Sequence, residues 1–254
     1  MRHLILSDVH ANIDALDAVL ERAAGAWDRV LVLGDLVGYG AEPNAVIDRI
    51  KALSPDAVIR GNHDKAACGI DDGSQFNHVA RVAALWTATQ LTPDNRDYLR
   101  DLPMGPLQMD ALTEICHGAP FDEDHYIFDG NDAVLALQSA QRPLCLFGHT
   151  HLPAVFKLVE DMLDGAPLDA DRDVVIPLQR GARYLINVGS IGQPRDGDPR
   201  AGYGVLDDEA REVRSFRVRY PVEKAQQRII AAGVFGGWAA TAAGAANRRT
   251  NSST

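Results

Sequence analysis

The sequence predicts an α/β fold, on the basis of three observations. Residues 1–60 repeat one pattern of a short apolar run, a polar turn and a segment with helical periodicity, which is typical of βαβ units. The second half is rich in strand-like runs, which indicates a second sheet packed against the first with helices outside. With 254 residues, 46% of them hydrophobic and 24% charged, the chain has the composition of a packed globular protein.

Local patterns place the elements of the first half. Strands are predicted at residues 3–6, 30–33 and 57–59. A helix is predicted over 12–23, with Asn12 as its cap. The next helix is predicted to begin at Glu42. Pro43 then lies in the first turn, where backbone N–H groups have no partner inside the helix and the missing N–H of proline costs no hydrogen bond. The segment 65–107 is predicted to be mainly helical, with a second helix beginning at Thr92.

The second half is predicted to contain seven strands, at 114–116, 144–147, 155–158, 174–177, 184–188, 203–206 and 213–218. In the stretch 211–219 basic residues alternate with apolar ones, and we interpret it as a solvated strand at a sheet edge. We expect one domain over residues 1–232. The Ala/Gly-rich remainder, 233–254, is expected to be a frayed tail.

Charge and cysteine content exclude several classes of protein. The net charge of −10 disfavours duplex nucleic acid and anionic membranes as partners. The three cysteines show no paired spacing, so neither a disulfide framework nor a zinc ribbon is indicated. The chain begins without a signal-peptide core and contains no apolar run of membrane-spanning length. We therefore expect a cytoplasmic protein, while its oligomeric state stays open.

Residues able to bind metal follow the predicted strands directly. Since the carboxyl ends of strands are where ligand sites form in α/β sheets, these residues are expected to converge on one rim. They are Asp8 and His10 after the first strand, Asp35 after the second, Asn62, His63 and Asp64 after the third, and His117, His149 and His151 after two later strands.

The donor types indicate which metals would bind. Carboxylate and amide oxygens with imidazoles, and without thiolate, suit first-row divalent ions better than calcium. Manganese or iron is the expected ion, with zinc, cobalt and nickel as alternatives. Asp35 is alone as a candidate ligand in the loop between Gly34 and Gly38, and it could bridge two ions through its two oxygens. In two-metal hydrolases the two ions are about 3.5–4 Å apart.

Each motif also has a simpler interpretation when it is taken alone. Asp8 and His10 could cap the following helix, and Gly34-Asp35 could be only a turn. The segments 61–64 and 148–151 could each be a hydrogen-bonded loop. Their joint occurrence at strand ends favours the metal site.

The same residues spell a family pattern: Asp8-Val-His10, Gly34-Asp35-Leu-Val-Gly38, Gly61-Asn62-His63-Asp64, His117-Gly118 and Gly148-His149-Thr-His151. This pattern resembles the calcineurin-like metallophosphoesterase superfamily. The segment 187–195, Asn-Val-Gly-Ser-Ile-Gly-Gln-Pro-Arg, is similar to a strand and loop of its small bacterial and archaeal phosphodiesterase branch.

The resemblance implies a four-layer α/β/β/α sandwich with two mixed β-sheets. It implies that one metal is bound by Asp8, His10, Asp35 and His151, and the other by Asp35, Asn62, His117 and His149. It also implies that His63 faces the substrate with Asp64 behind it. We expect His63 to protonate the leaving group, and Asp64 to hold its ring and favour the protonated form.

The expected function is hydrolysis of a small phosphodiester or nucleotide, such as a dinucleoside polyphosphate, by a hydroxide that bridges two metals. Arg195 and Arg200 flank a loop where a guanidinium could bind phosphate. Surface salt bridges with Asp196 or Asp198 are the alternative for both. A protein serine/threonine phosphatase and a metal-stabilised binding module remain the alternative functions. The segments 65–90 and 119–130 are expected to shape substrate choice.

Overall fold

The computed structural model of the protein describes residues 1–169 and 171–234. Within them the helices are α1 (Ile13–Arg22), α2 (Pro43–Ala52), α3 (Asn62–Cys68), α4 (His78–Gln90), α5 (Pro93–Asp101), α6 (Gly130–Ser139) and α7 (Val222–Ala231). The strands are β1 (Arg2–Leu6), β2 (Arg29–Val32), β3 (Ala57–Val58), β4 (Leu107–Gln108), β5 (Thr113–Ile115), β6 (Leu144–Leu146), β7 (Ala154–Val159), β8 (Met162–Pro167), β9 (Val174–Pro177), β10 (Arg183–Asn187), β11 (Ala201–Asp207) and β12 (Glu212–Val218).

Both sheets combine parallel and antiparallel neighbours. The first sheet has the strand order β3-β2-β1-β11-β12-β9, and the second has the order β4-β5-β6-β10-β7-β8. In the first sheet β1 is parallel to β2, which is parallel to β3. In the second sheet β5 is parallel to β6. The carboxyl ends of β1, β2 and β3 therefore share one rim of their sheet, and those of β5 and β6 share one rim of the other.

Three buried apolar cores separate the layers. Along β1, Leu4 and Leu6 pack in a core with residues of α1 and α2, whereas Ile5 points to the opposite face, as alternation along a strand requires. Ile5 shares its core with Leu146 of β6, so this core lies between the two sheets. Cys145 of β6 points the other way, into a core with residues of α6. The fold is thus the expected four-layer α/β/β/α sandwich.

Two helix starts agree with the sequence prediction. The side chain of Asn12 caps α1 by accepting a hydrogen bond from the N–H of Ala15 at 3.1 Å. Pro43 occupies the first turn of α2, where an N–H would lack a partner inside the helix. The loops 7–12 and 33–42 are therefore anchored by a strand at one end and a capped or proline-led helix at the other.

Four elements lie outside the sequence prediction: β4, β8, α6 and α7. Five of the six residues of β8 are exposed, so this edge strand lacks the alternation from which a strand is recognised. β4 has only two residues and falls at the end of a segment predicted as helical. Pairing with β5 produces it, and a pairing partner cannot be read from local sequence.

The position of β12 corrects a further expectation. The basic alternation over 211–219 does belong to a strand, but β12 lies between β11 and β9 and not at an edge. Val213 is buried and Arg214 is exposed, so the alternation indicates that one face of β12 is exposed to solvent. It does not indicate how many strands pair with β12, because strands pair through hydrogen bonds between backbone groups.

Helix α7 ends at Ala231, next to the predicted domain boundary at residue 232. Of the predicted tail, only Gly233 and Val234 fall within the described residues. Across 1–169 and 171–234, no helix combines the length and the apolar character needed to cross a membrane.

Candidate metal centre

The seven residues expected to bind metal lie together where strands of both sheets end. Loops after β1, β2 and β3 bring residues from the first sheet, and loops after β5 and β6 bring residues from the second. Every one of the seven is at most 8% exposed: Asp8, His10, Asp35, Asn62, His117, His149 and His151. Acids buried to this extent need a compensating positive charge nearby.

The first group consists of Asp8, His10, Asp35 and His151, whose potential ligand atoms all lie within 4.8 Å of one another. Nε2 of His10 is 3.6 Å from Oδ2 of Asp35. Nε2 of His151 is 3.2 Å from Oδ1 of Asp8. The two Nε2 atoms are 3.0 Å apart, so the four side chains point toward one small volume.

The second group consists of Asp35, His117 and His149, again with potential ligand atoms within 4.8 Å of one another. Nε2 of His117 is 3.5 Å from Oδ2 of Asp35. Asn62 adjoins this group, because its Oδ1 is 3.2 Å from Nε2 of His117. All four residues expected around the second metal are therefore close together.

Asp35 belongs to both groups through a single oxygen. Its Oδ2 approaches His10 in the first group and His117 in the second. Its Oδ1 accepts the backbone N–H of His63 at 2.9 Å. We expected one carboxylate oxygen for each ion, but the structure directs one shared oxygen to both groups and uses the other to anchor the loop after β3.

Each of the four histidines places one ring nitrogen against a main-chain carbonyl oxygen. A carbonyl only accepts, so that nitrogen carries the hydrogen, and the other nitrogen of a neutral ring keeps its lone pair. Nδ1 donates in three rings and Nε2 donates in the fourth. The pairs are His10 with Val37 at 3.0 Å, His117 with Leu33 at 2.8 Å, His151 with Gln193 at 2.6 Å, and His149, through Nε2, with Asp124 at 3.0 Å.

This arrangement fits bound cations. When both rings are neutral, the lone pairs of His10 and His151 face each other beside two carboxylates, and neither Nε2 has a hydrogen to donate to the other. Electron-rich atoms that converge in this way repel one another unless a positive ion lies among them. Nitrogen and oxygen donors without thiolate are those that first-row divalent ions prefer. The two groups could hold two such ions.

Burial and carboxylates set the protonation of the rings. Burial lowers the pKa of His149 to about 3 and the pKa of His10 well below its usual value. Burial opposes the charged form of His117 as well, but the carboxylates of Asp35 and Asp8 and the carbonyl of Leu33 together outweigh it and raise the pKa of His117 to about 10. His117 therefore holds a proton at neutral pH that an ion must displace, since only the neutral ring can be a ligand.

Five of the seven side chains are presented from a left-handed backbone. The φ angles are 52° for Asp8, 48° for His10, 52° for Asp35, 66° for His149 and 59° for His151. This conformation costs about 1–3 kcal/mol for a residue with a side chain, and it clusters at functional sites. Hydrogen bonds between loops hold it here, including His10 N–H to Asp35 O at 3.0 Å.

His63 lies beside both groups but is a member of neither. Its ring is 3% exposed, with the ring centroids of His10, Tyr39 and Phe76 at 5.0, 4.5 and 4.7 Å. Gly38 permits this position, because a Cβ at residue 38 would collide with the His63 ring. His63 thus packs next to the candidate centre and lines the adjacent cavity.

Asp64 does not hold the His63 ring, contrary to our expectation. Its Oδ1 accepts the N–H of Val37 at 3.2 Å and its Oδ2 accepts the N–H of Gly61 at 3.0 Å. Within the described residues Nδ1 of His63 has no hydrogen-bond partner. Adjacent residues in the first turn of a helix point in different directions, and free backbone N–H groups attract the carboxylate. Burial lowers the pKa of His63 to about 4, so the protonated ring is not favoured.

A cavity of about 600 Å³ opens beside the second group. Phe76 in the segment 65–90 and Tyr126 in the loop 119–130 line it, so both segments expected to shape substrate choice reach the site. Sequence reasoning did not single out Tyr39, Phe76, Tyr126 or Gln193, because none of the four belongs to the metal-ligand motifs. For Tyr39, the available signal was its place in the loop that presents Asp35.

Arg195 lines the same cavity. Its guanidinium donates to Oε1 of Gln193 at 3.0 Å. Burial raises the pKa of Tyr39 to about 12, and the nearby Arg195 opposes that shift. Burial raises the pKa of Tyr126 as well, again opposed by Arg195. The guanidinium therefore interacts with both phenol groups at the cavity wall.

The two nearby aspartates are paired with other arginines. Asp196 forms an ion pair with Arg217, and Asp198 forms one with Arg200 at 2.6 Å. In the part of the chain that the structure describes, Arg195 forms no ion pair with either aspartate. The salt-bridge interpretation therefore holds for Arg200 and is wrong for Arg195.

Comparison with known families agrees with this geometry. The sequence profile of the calcineurin-like phosphoesterase superfamily domain matches residues 1–211. The chain belongs to the calcineurin-like phosphoesterase superfamily. This superfamily uses a dinuclear centre of divalent ions, and the two side-chain groups of this calcineurin-like protein could accommodate such a centre.

Several proteins are similar to this chain along nearly their whole length. A metallophosphoesterase from Sphaerobacter thermophilus is 37% identical, with a TM-score of 0.81 over 94% of this chain and 97% of that one. An uncharacterized protein from Methanocaldococcus jannaschii is 32% identical over 238 residues, or 89% of this chain and 90% of that one. A hypothetical protein from Pyrococcus horikoshii OT3 shares the fold at 20% identity, with a TM-score of 0.75 over 92% and 94% of the two chains.

Proposed function

We propose that this protein hydrolyses a phosphate ester of a small molecule, either a phosphodiester or a nucleotide, with two divalent ions bound at the two side-chain groups. The observation that carries the proposal is the convergence of buried nitrogen and oxygen ligand atoms on two points that share Oδ2 of Asp35. The proposed ions are manganese or iron, while zinc, cobalt and nickel suit the same nitrogen and oxygen donors.

The protein would contribute a rigid, preorganised ligand set. Divalent ions bound at this site would supply Lewis acidity and lower the pKa of water to near neutrality. The carbonyl partners of the four histidines fix which ring nitrogen is free before any ligand arrives. Ligands held in this way need little rearrangement during the reaction, which is the main source of electrostatic catalysis.

His63 is proposed to act on the leaving group. Its ring lines the cavity beside the second group and is bound to neither ligand set. The ring is neutral at pH 7 because burial lowers its pKa. The negative charge of a bound phosphate favours the protonated imidazole, so the substrate itself would raise the pKa of His63 and prepare it to donate a proton to the departing oxygen.

The cavity favours a small organic phosphate as substrate. Its volume of about 600 Å³ lies in the usual range of about 300–1,000 Å³ for small-molecule pockets. Tyr39, Phe76 and Tyr126 give it aromatic walls, and Arg195 adds a cation. A guanidinium matches the geometry of phosphate oxygens, so Arg195 is proposed to bind a phosphoryl group of the substrate.

A turnover screen tests the proposal. The manganese-loaded protein would be assayed with an aryl phosphodiester, a dinucleoside polyphosphate, an aryl monoester and a phosphoserine peptide, with and without a chelator. We expect chelator-sensitive turnover and a higher kcat/KM for the diester or the dinucleoside polyphosphate. Preference for the phosphopeptide would indicate a protein phosphatase, and absence of turnover with metal bound would indicate a binding module.

A further inference from the structure

The ring of His149 contacts the loop of residues 118–128, in addition to the ring of His117. Its Nε2 donates to the carbonyl oxygen of Asp124 at 3.0 Å. Tyr126 stacks on the same ring, with centroids 3.7 Å apart and planes inclined by 23°. Since Nε2 donates to the loop, Nδ1 keeps the lone pair. The loop therefore decides which nitrogen of His149 is available to a metal ion.

Lys65 ties this loop to the segment after β3. Its Nζ is 2.9 Å from Oε1 of Glu123 and 2.6 Å from Oδ2 of Asp124, and its side chain is only 7% exposed. Arg60 adds two hydrogen bonds to Glu123, at 2.9 and 3.1 Å. Lys65 follows Asn62 by one turn of α3. The ion pairs thus join the segment that presents Asn62 to the loop that supports His149.

Backbone contacts close the loop tightly on itself. The N–H of Gly118 donates to the carbonyl of Glu123 at 3.0 Å. A Cβ at residue 118 would collide with the carbonyl oxygens of Glu123 and His125, so the chain folds tightly back on itself at this glycine. The carboxylates of Glu123 and Asp124 and the carbonyl of Asp124 therefore belong to one compact turn.

Such a contact is weak evidence for a purely stabilising role. Apolar residues can often replace buried ion pairs without loss of stability, because taking the charges out of water costs much of what their attraction contributes. What an ion pair of this kind adds is a fixed geometry. Here the geometry concerns a ligand residue. The carbonyl that accepts the hydrogen bond from His149 and the carboxylate that binds Lys65 both belong to Asp124.

We propose that Lys65 is a positioning residue for the second metal ion, because it keeps the Asp124 carbonyl on Nε2 of His149. This inference rests on the proposed dinuclear centre. The first group should not depend on Lys65, since the carbonyls that orient its rings belong to Val37 and Gln193 in other loops. Loss of Lys65 should therefore weaken one ion selectively.

The test compares Lys65→Met with Lys51→Met. Lys51 is the control, because its ammonium also donates a hydrogen bond, at 3.0 Å to Asn95, although Lys51 is an exposed residue in the last turn of α2. Manganese binding would be followed by equilibrium titration and electron paramagnetic resonance. We expect Lys65→Met to bind the second ion about tenfold more weakly, a typical loss for an outer-shell change, and to show an isolated-ion spectrum where wild type and Lys51→Met show a coupled pair.

Asp124→Ala provides a second variant in case Lys65→Met does not fold. The Asp124 side chain is about half exposed, and its truncation leaves the backbone carbonyl in place and Lys65 paired with Glu123. The same selective loss, smaller in size, is expected. Wild-type affinity for both ions in these variants, or equal weakening of both ions, would overturn the positioning role. A wild-type protein that binds fewer than two ions would instead contradict the dinuclear centre itself.

Discussion

The Nε2 atoms of His10 and His151 face each other at 3.0 Å, although each ring already donates its Nδ1 hydrogen to a backbone carbonyl. Neither nitrogen of a neutral pair can then donate to the other. Asp8 places a carboxylate oxygen 3.2 Å from His151 and increases the local negative potential. A cation at this point changes these repulsive contacts into attractive ones.

Asp35→Asn should lose most of both ions. The shared Oδ2 of Asp35 approaches a histidine in each group, and the substitution removes its negative charge from both while keeping the shape of the side chain. Metal analysis after manganese loading should approach two ions per chain in the wild type and well under one in the variant. Asp17→Asn, an exposed aspartate paired with Arg49, is the control. Full activity of Asp35→Asn in the presence of a chelator would contradict the dinuclear mechanism.

His63→Ala should affect substrates according to their leaving groups. An acid helps only where the departing oxygen needs a proton, so alkyl esters should slow by about 10²–10⁴-fold and esters of acidic phenols much less. Metal content should stay at the wild-type level, because His63 belongs to neither ligand group. The measurement is kcat across esters of rising leaving-group pKa. An unchanged slope, or loss of one ion, would show that His63 has another role.

Arg195→Met should weaken substrate use without loss of metal. The Arg195 guanidinium lines the cavity and has no carboxylate partner among the described residues. Charge-assisted hydrogen bonds contribute about 1.5–3 kcal/mol, so kcat/KM for a phosphodiester should fall by roughly 10–100-fold. Arg200→Met removes an arginine paired with Asp198 from the same loop and should leave kcat/KM near wild type. Equal losses in the two variants would indicate a general disturbance of the loop.

Affinity for the second ion should rise with pH. Burial lowers the pKa of His117, but Asp35, Asp8 and the Leu33 carbonyl together raise it to about 10, so the ring is protonated below that pH and must lose the proton before it can bind metal. Displacement of one proton makes the affinity rise about tenfold per pH unit between pH 6 and 9. Calorimetry in buffers of different ionisation enthalpy would count the released protons. A constant or falling affinity over this range would refute the assignment of that proton.

Much of the fold and the ligand set follows from the sequence, because both depend on local order along the chain. A strand followed by a polar motif predicts both the βα unit and the place of its ligands. Asp8, Asp35 and His117 could therefore be assigned to one rim before their distances were known. The carbonyl partners of the histidines could not be predicted, because every residue type has a backbone carbonyl and the sequence does not show which one accepts the hydrogen bond.

Other side-chain contacts depend on which of several possible hydrogen-bond or ion-pair partners is nearer. Asp64 follows His63 and could in principle have bound its ring, yet the backbone N–H groups of Gly61 and Val37 bind the carboxylate. Arg195 and Arg200 look equivalent in sequence, and only the position of Arg217 beside Asp196 separates their roles. Sequence order constrains such choices weakly, because each competitor comes from a different segment of the chain.

The division of the ligands between the two sheets makes the candidate metal centre a cross-link as well as a reaction centre. Asp35 in the loop after β2 and His151 beyond β6 belong to different halves of the sandwich, yet they face the same point. Ions bound there would link the two sheets through their ligands. Ligands that bind only the native state stabilise it in proportion to the logarithm of their concentration. The melting temperature of this protein should therefore depend on the concentration of available metal. Two preparations with identical sequences should unfold at different temperatures when their metal loading differs.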